Sequence, residues 1–555
     1  MRKTPILTLL FIFFSLNFCY AQLPTCIWAA EAGGGAGDYG NCVAVDRFGN
    51  FFVGGGFRSS FINFDTIVLN NTNSFDGDVF LTKYDSIGNV LWAQRGAGSF
   101  GEFITGVVTD SFGNVLISGH FTSPTVTFGQ LTLTNSNSSS SDDIFLVKYD
   151  SNGNVIWAKK YGGNGDDIAN NLAYDNANKI CLTGTFDGTS MVFGSDTLYN
   201  GGAYDMFVVE LDTSGNPIWA RSATGVRSEN GLDVFIDKSG EVVVAGVFSS
   251  TTSTFDTILI NNTSIPYNWD IFLAKYNSNG DLSWVKHSGG AAAEWSQGVV
   301  VDTNGNIYLT GTFENPSITF DTISINNSGP GSREVFLTKY NATGNALWTK
   351  SIAGINNDEV NSIFIDDSGY VYLTGGYLSA NLIIDTITLI SNGNSDAYIA
   401  KFNNSGNVAW AKRIASNGYD EGTAMTIDAK NNLYITGNFW NASLTIDSIT
   451  LPNHGNGDAF FAKFIQEEII TQIEEPENQN LFSIYPNPSN RKINISTKET
   501  QTNYTIDIFN ILGKNIFTHY YETPNEVIDC ELKSGIYFVV LTIENTRSTI
   551  KFIKE

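Results

Sequence analysis

Apolar residues in this chain come in short runs separated by Gly, Asn, Asp and Ser, and no long stretch carries them at a helical period. The clearest example lies between Gly298 and Lys350. Gly298 to Asp302 (GVVVD), Asn306 to Phe313 (NIYLTGTF), Glu334 to Asn341 (EVFLTKYN) and Ala346 to Lys350 (ALWTK) read as four strands, a to d. Tight turns join a to b and c to d. Each opens on Asp or Asn and usually has Gly where positive φ is needed. The pattern predicts an all-β chain.

The same unit recurs. Trp28, Trp92, Trp157, Trp219, Trp284, Trp348 and Trp410 are spaced by 64, 65, 62, 65, 64 and 62 residues. Asp46, Asp110, Asp175, Asp237, Asp302, Asp366 and Asp428 follow with the same gaps, each opening a turn such as DSFGN or DTNGN. A glycine column, Gly55, Gly119, Gly184, Gly246, Gly311, Gly375 and Gly437, marks the end of strand b. Four antiparallel strands repeated radially describe a propeller blade.

The ends of the repeat region are truncated in complementary ways. The Trp28 segment (CIWAAEAG) has no strand c before it, and the last copy, ending at Phe464, has no Trp strand after it. The N-terminal segment is therefore expected to supply strand d of the last sheet. The result would be a seven-bladed β-propeller without open edges, whereas a solenoid needs no such truncation. Over residues 22–464 the repeat resembles the bacterial β-propeller repeat family known as SBBP. The D-x-x-G-N-x-x-W run, as from Asp150 to Trp157, is similar to the tryptophan-docking motif of quinoprotein propellers. One residue is missing from that turn, so the resemblance implies only that the ring packs between blades.

Composition narrows the partners. With 31 Lys and Arg against 56 Asp and Glu the net charge is −25, which repels phosphate backbones and argues against a nucleic-acid partner. Arg2 and Lys3 precede an apolar run from Ile6 to Phe18, and cleavage after Ala21 makes 1–21 a signal peptide. Phe18 before Cys19 argues against a lipid anchor. The mature chain carries no transmembrane segment in this reading. Cys26 and Cys42 are candidates for a disulfide, while Cys181 and Cys530 read as lone buried thiols.

The b–c and d–a connections are long and variable and share one face of the disc, where binding loops on a rigid scaffold reside. On that face an acid stands eight residues before each turn Asp: Asp38, Glu102, Asp167, Glu229, Glu294, Asp358 and Asp420. A second column opens strand c at Asp78, Asp143, Asp205, Asp270, Glu334, Asp396 and Asp458. In one reading each acid caps a loop amide or pairs with a base in its own blade. In the other, the first column concentrates Ca²⁺ or a basic ligand at the channel mouth. No other cofactor is expected.

The triplets at Asp65, Asp256, Asp321, Asp385 and Asp447 (Asp-Thr-Ile, or Asp-Ser-Ile) read as a fifth strand or hairpin whose Ile packs on the blade. They also look like the Asp-Ser/Thr-apolar O-glycosylation acceptor of bacteria with type IX secretion. No catalytic motif stands out, since the four His share no repeat position and no G-x-S-x-G elbow is present.

After Phe464 the repeat stops, and residues 465–480 read as an acidic linker. Residues 481–555 resemble the type A C-terminal sorting domain of type IX secretion. The motifs are Tyr485-Pro486-Asn487-Pro488, Ser534-Gly535-Ile536-Tyr537 and Lys551-Phe552-Ile553-Lys554, with Gly535, Tyr537, Lys551 and Lys554 as landmarks. The resemblance implies a small Ig-like β-sandwich, the type IX machinery as partner, and a secreted product, released or attached at the cell surface. Function then divides three ways: a binding or adhesion propeller for a surface glycan or protein, a secreted polysaccharide hydrolase or lyase, and a structural surface-layer protein. The first suits the sequence best, with no enzyme activity indicated.

Overall fold

In the computed structural model the described residues are 23–466 and 482–554, apart from loop residues 73–76, 138–140, 176–178, 264–267 and 330 and, in the C-terminal part, 486, 488–491, 498–503, 512, 522–524, 530–531 and 544–545. The signal segment 1–21, nearly all of the 465–480 linker, Pro486, Pro488 and Cys530 lie outside the described residues. The chain divides into two compact units, one of them Leu23–Gln466 and the other including Glu467–Glu555.

The described residues of Leu23–Gln466 form strands and no helix, in sheets that share one plan. In the second sheet, Glu102–Thr109, Val115–Phe121, Asp143–Tyr149 and Val155–Tyr161 pair antiparallel in the order a-b-c-d. Six further sheets repeat it, with strands a at Asp38–Val45, Asp167–Tyr174, Glu229–Ile236, Glu294–Val301, Ser362–Ile365 and Asp420–Ile427. One cavity of about 360 Å³ is lined by strand a of every sheet, from Val43 to Thr426. The strands therefore surround a common axis, an arrangement consistent with a β-propeller.

The last sheet takes its fourth strand from the N-terminus. Thr25–Ala32 pairs antiparallel with Asp458–Ile465, Trp28 opposite Lys463 and Glu31 opposite Phe460. Ala32, Phe51, Phe80 and Tyr84 then share a core with Tyr434, Ala459 and Phe461, so the first and last sheets bury each other. Strands b and c are buried along nearly their whole length because each sheet is covered on both faces, which explains their unbroken apolar runs.

Each d-strand tryptophan packs toward the following sheet. Trp28, Trp92, Trp219 and Trp284 lie against Gly88, Gly153, Gly280 and Gly344 of the next c–d turn, glycines with φ between 78 and 94°. The Trp92 indole donates to the Ser151 carbonyl at 3.1 Å, and Trp284 donates to Ala342 at 3.3 Å. Where the ring closes no c–d turn exists. There Lys401 Nζ donates to Gln466 Oε1 at 3.0 Å, replacing the turn carbonyl that Lys83 finds at Ser151.

The glycine column answers to the register. Strand a shifts by one residue in each fully formed sheet, as between Ser296 and Gly298, and the facing glycine of strand b lies under a strand-a carbonyl. A Cβ on Gly311 would overlap the Trp295 carbonyl oxygen and the Phe336 ring. Gly311→Ala should therefore cost about 3 kcal/mol or more, read as a lower urea midpoint with the m-value unchanged. A loss below 1 kcal/mol would contradict this account of the column.

The b–c insertions are hairpins, such as Phe61–Phe64 with Ile67–Asn70. They clasp the previous sheet: Thr127 and Phe128 pair with Ala97 and Gly96, and Ala223 pairs with Phe255. The triplet Asp occupies the left-handed turn position (φ 50–54°), where Gly129 and Gly194 stand in two other copies. The residues fully buried come from the first hairpin strand, as Ile62 and Phe64 do, while the triplet Ile is half-buried or exposed. From that position Ile67 and Ile387 still pack against the cores of their blades, as expected. Thr66, Thr257, Thr322, Thr386 and Ser448 are exposed. Cys26 and Cys42 are free thiols, not a disulfide, and Cys181 is free and buried.

In the C-terminal unit, one sheet joins Phe482–Tyr485, Lys492–Thr497 and Asn525–Asp529, and another joins Asn515–Tyr521, Tyr504–Asn510, Gly535–Ile543 and Thr546–Lys554. Phe482, Ile495, Ile506, Val539 and Phe552 share its core. Asn487 knits the motif to the terminal strand, donating to the Lys551 carbonyl at 2.7 Å and accepting from Ile553 N–H at 2.9 Å. Tyr537 donates to the Lys533 carbonyl at 2.7 Å, and Gly535 opens that strand. Tyr485 and Lys551 are exposed, and Lys554 is buried.

Candidate functional site

The first acid column is buried. Asp38, Asp167, Glu229, Glu294 and Asp358 are 0% exposed, Asp420 1% and Glu102 3%. Each backbone N–H donates to a carbonyl just before strand c of the previous sheet: Asp38 to Gly457, Glu229 to Tyr204, Glu294 to Trp269. Most of the carboxylates collect donors from their own blade. Asp38 accepts from Ser59 Oγ at 2.6 Å and Arg58 N–H at 3.0 Å, and Asp358 from Ser379 Oγ at 2.9 Å. Asp167 accepts from Gly163 N–H at 2.6 Å, Glu229 from Ser253 Oγ at 2.7 Å, Glu102 from Ser123 and Glu294 from Asn315. Asp420 is held by Ser416, which like Gly163 lies in the connection that leads from the preceding sheet.

The second column meets the first at the seams. Asp458 lies near Asp38, Asp143 near Asp167, Asp205 near Glu229, Asp270 near Glu294, Glu334 near Asp358 and Asp396 near Asp420, the second-column charge raising the pKa of its first-column neighbour in each pair. Burial is the larger cause throughout. It pushes Glu294 up to about 9, Asp167 and Asp358 to about 7, and Asp38 and Asp420 to about 6. Among the described residues, no three members of this ring bring ligand oxygens within 4.8 Å of one another. Through its backbone N–H, each residue of this column ties its sheet to the one before it.

The turn acids do different work. Asp110 accepts from Phe112 and Asn114 N–H at 2.9 Å each, and Lys148 of strand c pairs with it at 2.9 Å. Lys83, Lys275 and Lys339 repeat that pairing. In the third sheet the charges exchange: Glu210 takes the lysine position and meets Lys179 at 2.8 Å. The lysine stands five residues after the acid that opens strand c, a regular spacing along the chain, but its pairing with the a–b turn Asp is visible only in the fold.

Openings occur on both faces. A cavity of about 510 Å³ lies on the short-turn side, lined by Asp175, Lys179, Asp237, Asp302 and Asp366. It sits opposite the face selected from loop length. On the b–c/d–a face a smaller cavity of about 250 Å³ is lined by Ser395, Tyr419, Asp420, Glu421 and Trp440. Trp440 is 38% and Tyr419 50% exposed, and Tyr39 lies 6.4 Å from the Trp440 ring centre. Burial raises the Glu421 pKa, and its Oε1 accepts from Asn438 at 3.1 Å. Two exposed aromatic faces beside a carboxylate can stack on a flat apolar surface and accept hydrogen bonds from its hydroxyls. Sequence reading found Asp420 in this group and missed the aromatics, which share no repeat position.

Residues 483–555 match the family described as a secretion system C-terminal sorting domain. The protein thus ends in a type IX sorting domain, which makes it a secreted or cell-surface protein handled by that machinery. The class is an all-β, propeller-like repeat protein carrying a secretion tail. The chain is 24% identical over 532 residues to the WD repeat-containing protein L264 of Acanthamoeba polyphaga mimivirus, covering 79% of this chain and 38% of that one. It is 24% identical over 173 residues to the regulatory protein FlaEY of Caulobacter vibrioides, covering 30% and 18%. The chain therefore spans well under two thirds of the length of these curated relatives. Among solved structures it is similar to Sqt1 from Chaetomium thermophilum, at TM-score 0.38 and 11% identity over 80% of this chain and 99% of that one. A Synechocystis apocarotenoid oxygenase variant gives TM-score 0.37 and 10% identity over 79% and 94%. No helix among the described residues is long and apolar enough to cross a membrane.

Proposed function

We propose that this protein is a non-catalytic binding module at the cell surface, a seven-bladed SBBP-type propeller over residues 22–464 that holds a surface glycan on its b–c/d–a loop face. Residues 1–21 would direct export across the inner membrane. Residues 481–555, as an Ig-like sandwich, would direct the outer-membrane step, with cleavage in the 465–480 linker. The common plan of the repeat sheets supports the sevenfold reading.

The glycan reading rests on the exposed Trp440 and Tyr419 rings flanking Glu421. Sugars present CH faces to aromatic rings and hydroxyls to carboxylates, and this cavity offers both. The test is a glycan array probed with the full chain. Trp440→Ala should weaken the selected glycan at least tenfold, while Asp367→Ala, on the opposite face, should leave it unchanged. Absence of any bound glycan, release of shortened sugars, or unchanged affinity in the Trp440 variant would each refute the reading.

A further inference from the structure

The closing sheet differs from the other six at one seam. Three residues after the d-strand tryptophan, the chain faces the strand-c acid with Arg95, Lys160, Ser222, His287, Ser351 and Arg413, and then with Glu31. The register is the same each time: Arg95 pairs with Phe80, Lys160 with Phe145, Arg413 with Tyr398 and Glu31 with Phe460. In three sheets this side chain ion-pairs with the acid, Arg95 with Asp78 at 3.5 Å, Lys160 with Asp143 at 3.1 Å and Arg413 with Asp396 at 3.6 Å. Ser351 donates to Glu334. At the closure the base is replaced by an acid, so Asp458 faces Glu31.

The same sheet carries a compensating change. In every blade a residue of the b–c loop donates its N–H to the strand-c acid, as Thr72, Ser136, Asn392 and His454 do. Only His454 among the seven brings an imidazole. Its Nδ1 lies 3.2 Å from Asp458 Oδ2 and 3.4 Å from Glu31 Oε2. Glu31, His454 and Asp458 can each offer one ligand atom, all within 4.8 Å of one another.

Asp458 is fully buried, and its Oδ1 has no hydrogen-bond partner, as holds for Asp143, Asp205 and Asp396 at the same position. Its carboxyl occupies the space that a side chain on Gly33 would fill, so it is fixed against the closing strand. Among the described residues no Lys or Arg pairs with Glu31 or Asp458, which leaves two carboxylates and one imidazole to balance. Burial raises both acids' pKa values.

We propose that Glu31, His454 and Asp458 form a binding site for a divalent transition cation, Zn²⁺ or Mn²⁺, that bridges the first and last strands of the ring. Imidazole plus two carboxylates is a ligand set such ions accept, with water in the remaining positions. Tetrahedral ligands at about 2.0–2.1 Å from zinc stand about 3.3 Å apart, which matches the two nitrogen–oxygen spacings found here. His454 is half-exposed, giving the ion an entry path. The cation would supply the positive charge that Arg95 or Lys160 supplies elsewhere.

Calorimetric titration of the metal-stripped full chain with Zn²⁺ and with Mn²⁺ tests this, alongside thermal unfolding. One site per chain with micromolar or tighter affinity is expected, and the melting temperature should rise on loading. His454→Ala should weaken binding at least tenfold. Glu31→Arg should abolish the site, yet leave the metal-free melting temperature at or above that of the parent, because it restores the pair seen between Arg95 and Asp78. The proposal is overturned if neither metal binds, if Ca²⁺ alone binds, or if both variants titrate like the parent.

Discussion

Deleting residues 23–32 is expected to lower the stability of the repeat unit by on the order of 5 kcal/mol and to make the protein aggregate. The strand supplies the last partner of Asp458–Ile465, whose Phe460, Phe461 and Phe464 are fully buried. Without it that strand becomes an open edge of unpaired N–H and C=O groups. The Trp28 ring also leaves, and with it the contacts to Phe51, Tyr84 and Tyr434, each about 6 to 6.5 Å between ring centres. Removing a packed Trp alone costs about 3–5 kcal/mol. Chemical denaturation with light scattering measures the loss. A circular permutant carrying residues 23–32 after Gln466 through a five-residue turn should regain most of it, since Thr25 already faces Ile465 in the register. A truncated chain as stable as the parent, or a permutant that fails to recover, would mean that closure contributes little.

The second large effect is on pH. Glu294, Asp167, Asp358, Asp38 and Asp420 hold protons in the fold at pH values where the unfolded chain, titrating near pH 4, has lost them. From about pH 4 upward the native state binds more protons than the unfolded one, so stability falls as pH rises. The contribution of each acid is complete below its unfolded pKa and lost through its folded value, here between about 6 and 9. Each such carboxyl tilts stability by about 1.4 kcal/mol per pH unit within its window. The turn acids Asp110 and Asp302 run the other way: hydrogen bonds from Asn114 and Asn306 hold them below the usual carboxylate range, and their contribution fades below about pH 4. Together the two sets predict maximal stability near pH 4 and a steady decline toward pH 9.

Glu229→Gln isolates one seam. Glu229 Oε2 and Asp205 Oδ1 are both buried without hydrogen-bond partners; burial raises both acids' pKa values, and the Asp205 charge raises that of Glu229 further. A glutamine amide can donate to Asp205 while its oxygen keeps the Ser253 bond. The variant should gain stability at pH 8.5, change little at pH 5, and unfold with about one proton fewer in its pH slope. A slope identical to the parent's would show that the pair does not share a proton.

The two acid columns show where sequence reading stops. Their spacing and their position before strands a and c could be read directly, because a repeat forces each copy into the same local geometry. Their pairing across seams could not, since Asp143 meets Asp167 only when one sheet is set beside the next. The lysine column of strand c was equally regular along the chain, yet its partner lies in another turn of the same blade, and Glu210 with Lys179 shows the exchange of charge that gives it meaning. The tryptophan column implies inter-blade packing from its motif alone, and the ring lies on the glycine of the next c–d turn.

By itself, the chain determined its strands, its turns, its repeat, its joined ends and its secretion tail. These follow from short-range rules: alternation, turn chemistry and the period that repeats them. Tertiary structure decided which carboxylates are buried, where the larger cavity opens, which aromatics gather at Trp440, and that Glu31 faces His454 and Asp458. Glu31 and its partners stand more than four hundred positions apart, the other groups come from different sheets, and burial, which sets the charge of the acids, is a property of the closed ring.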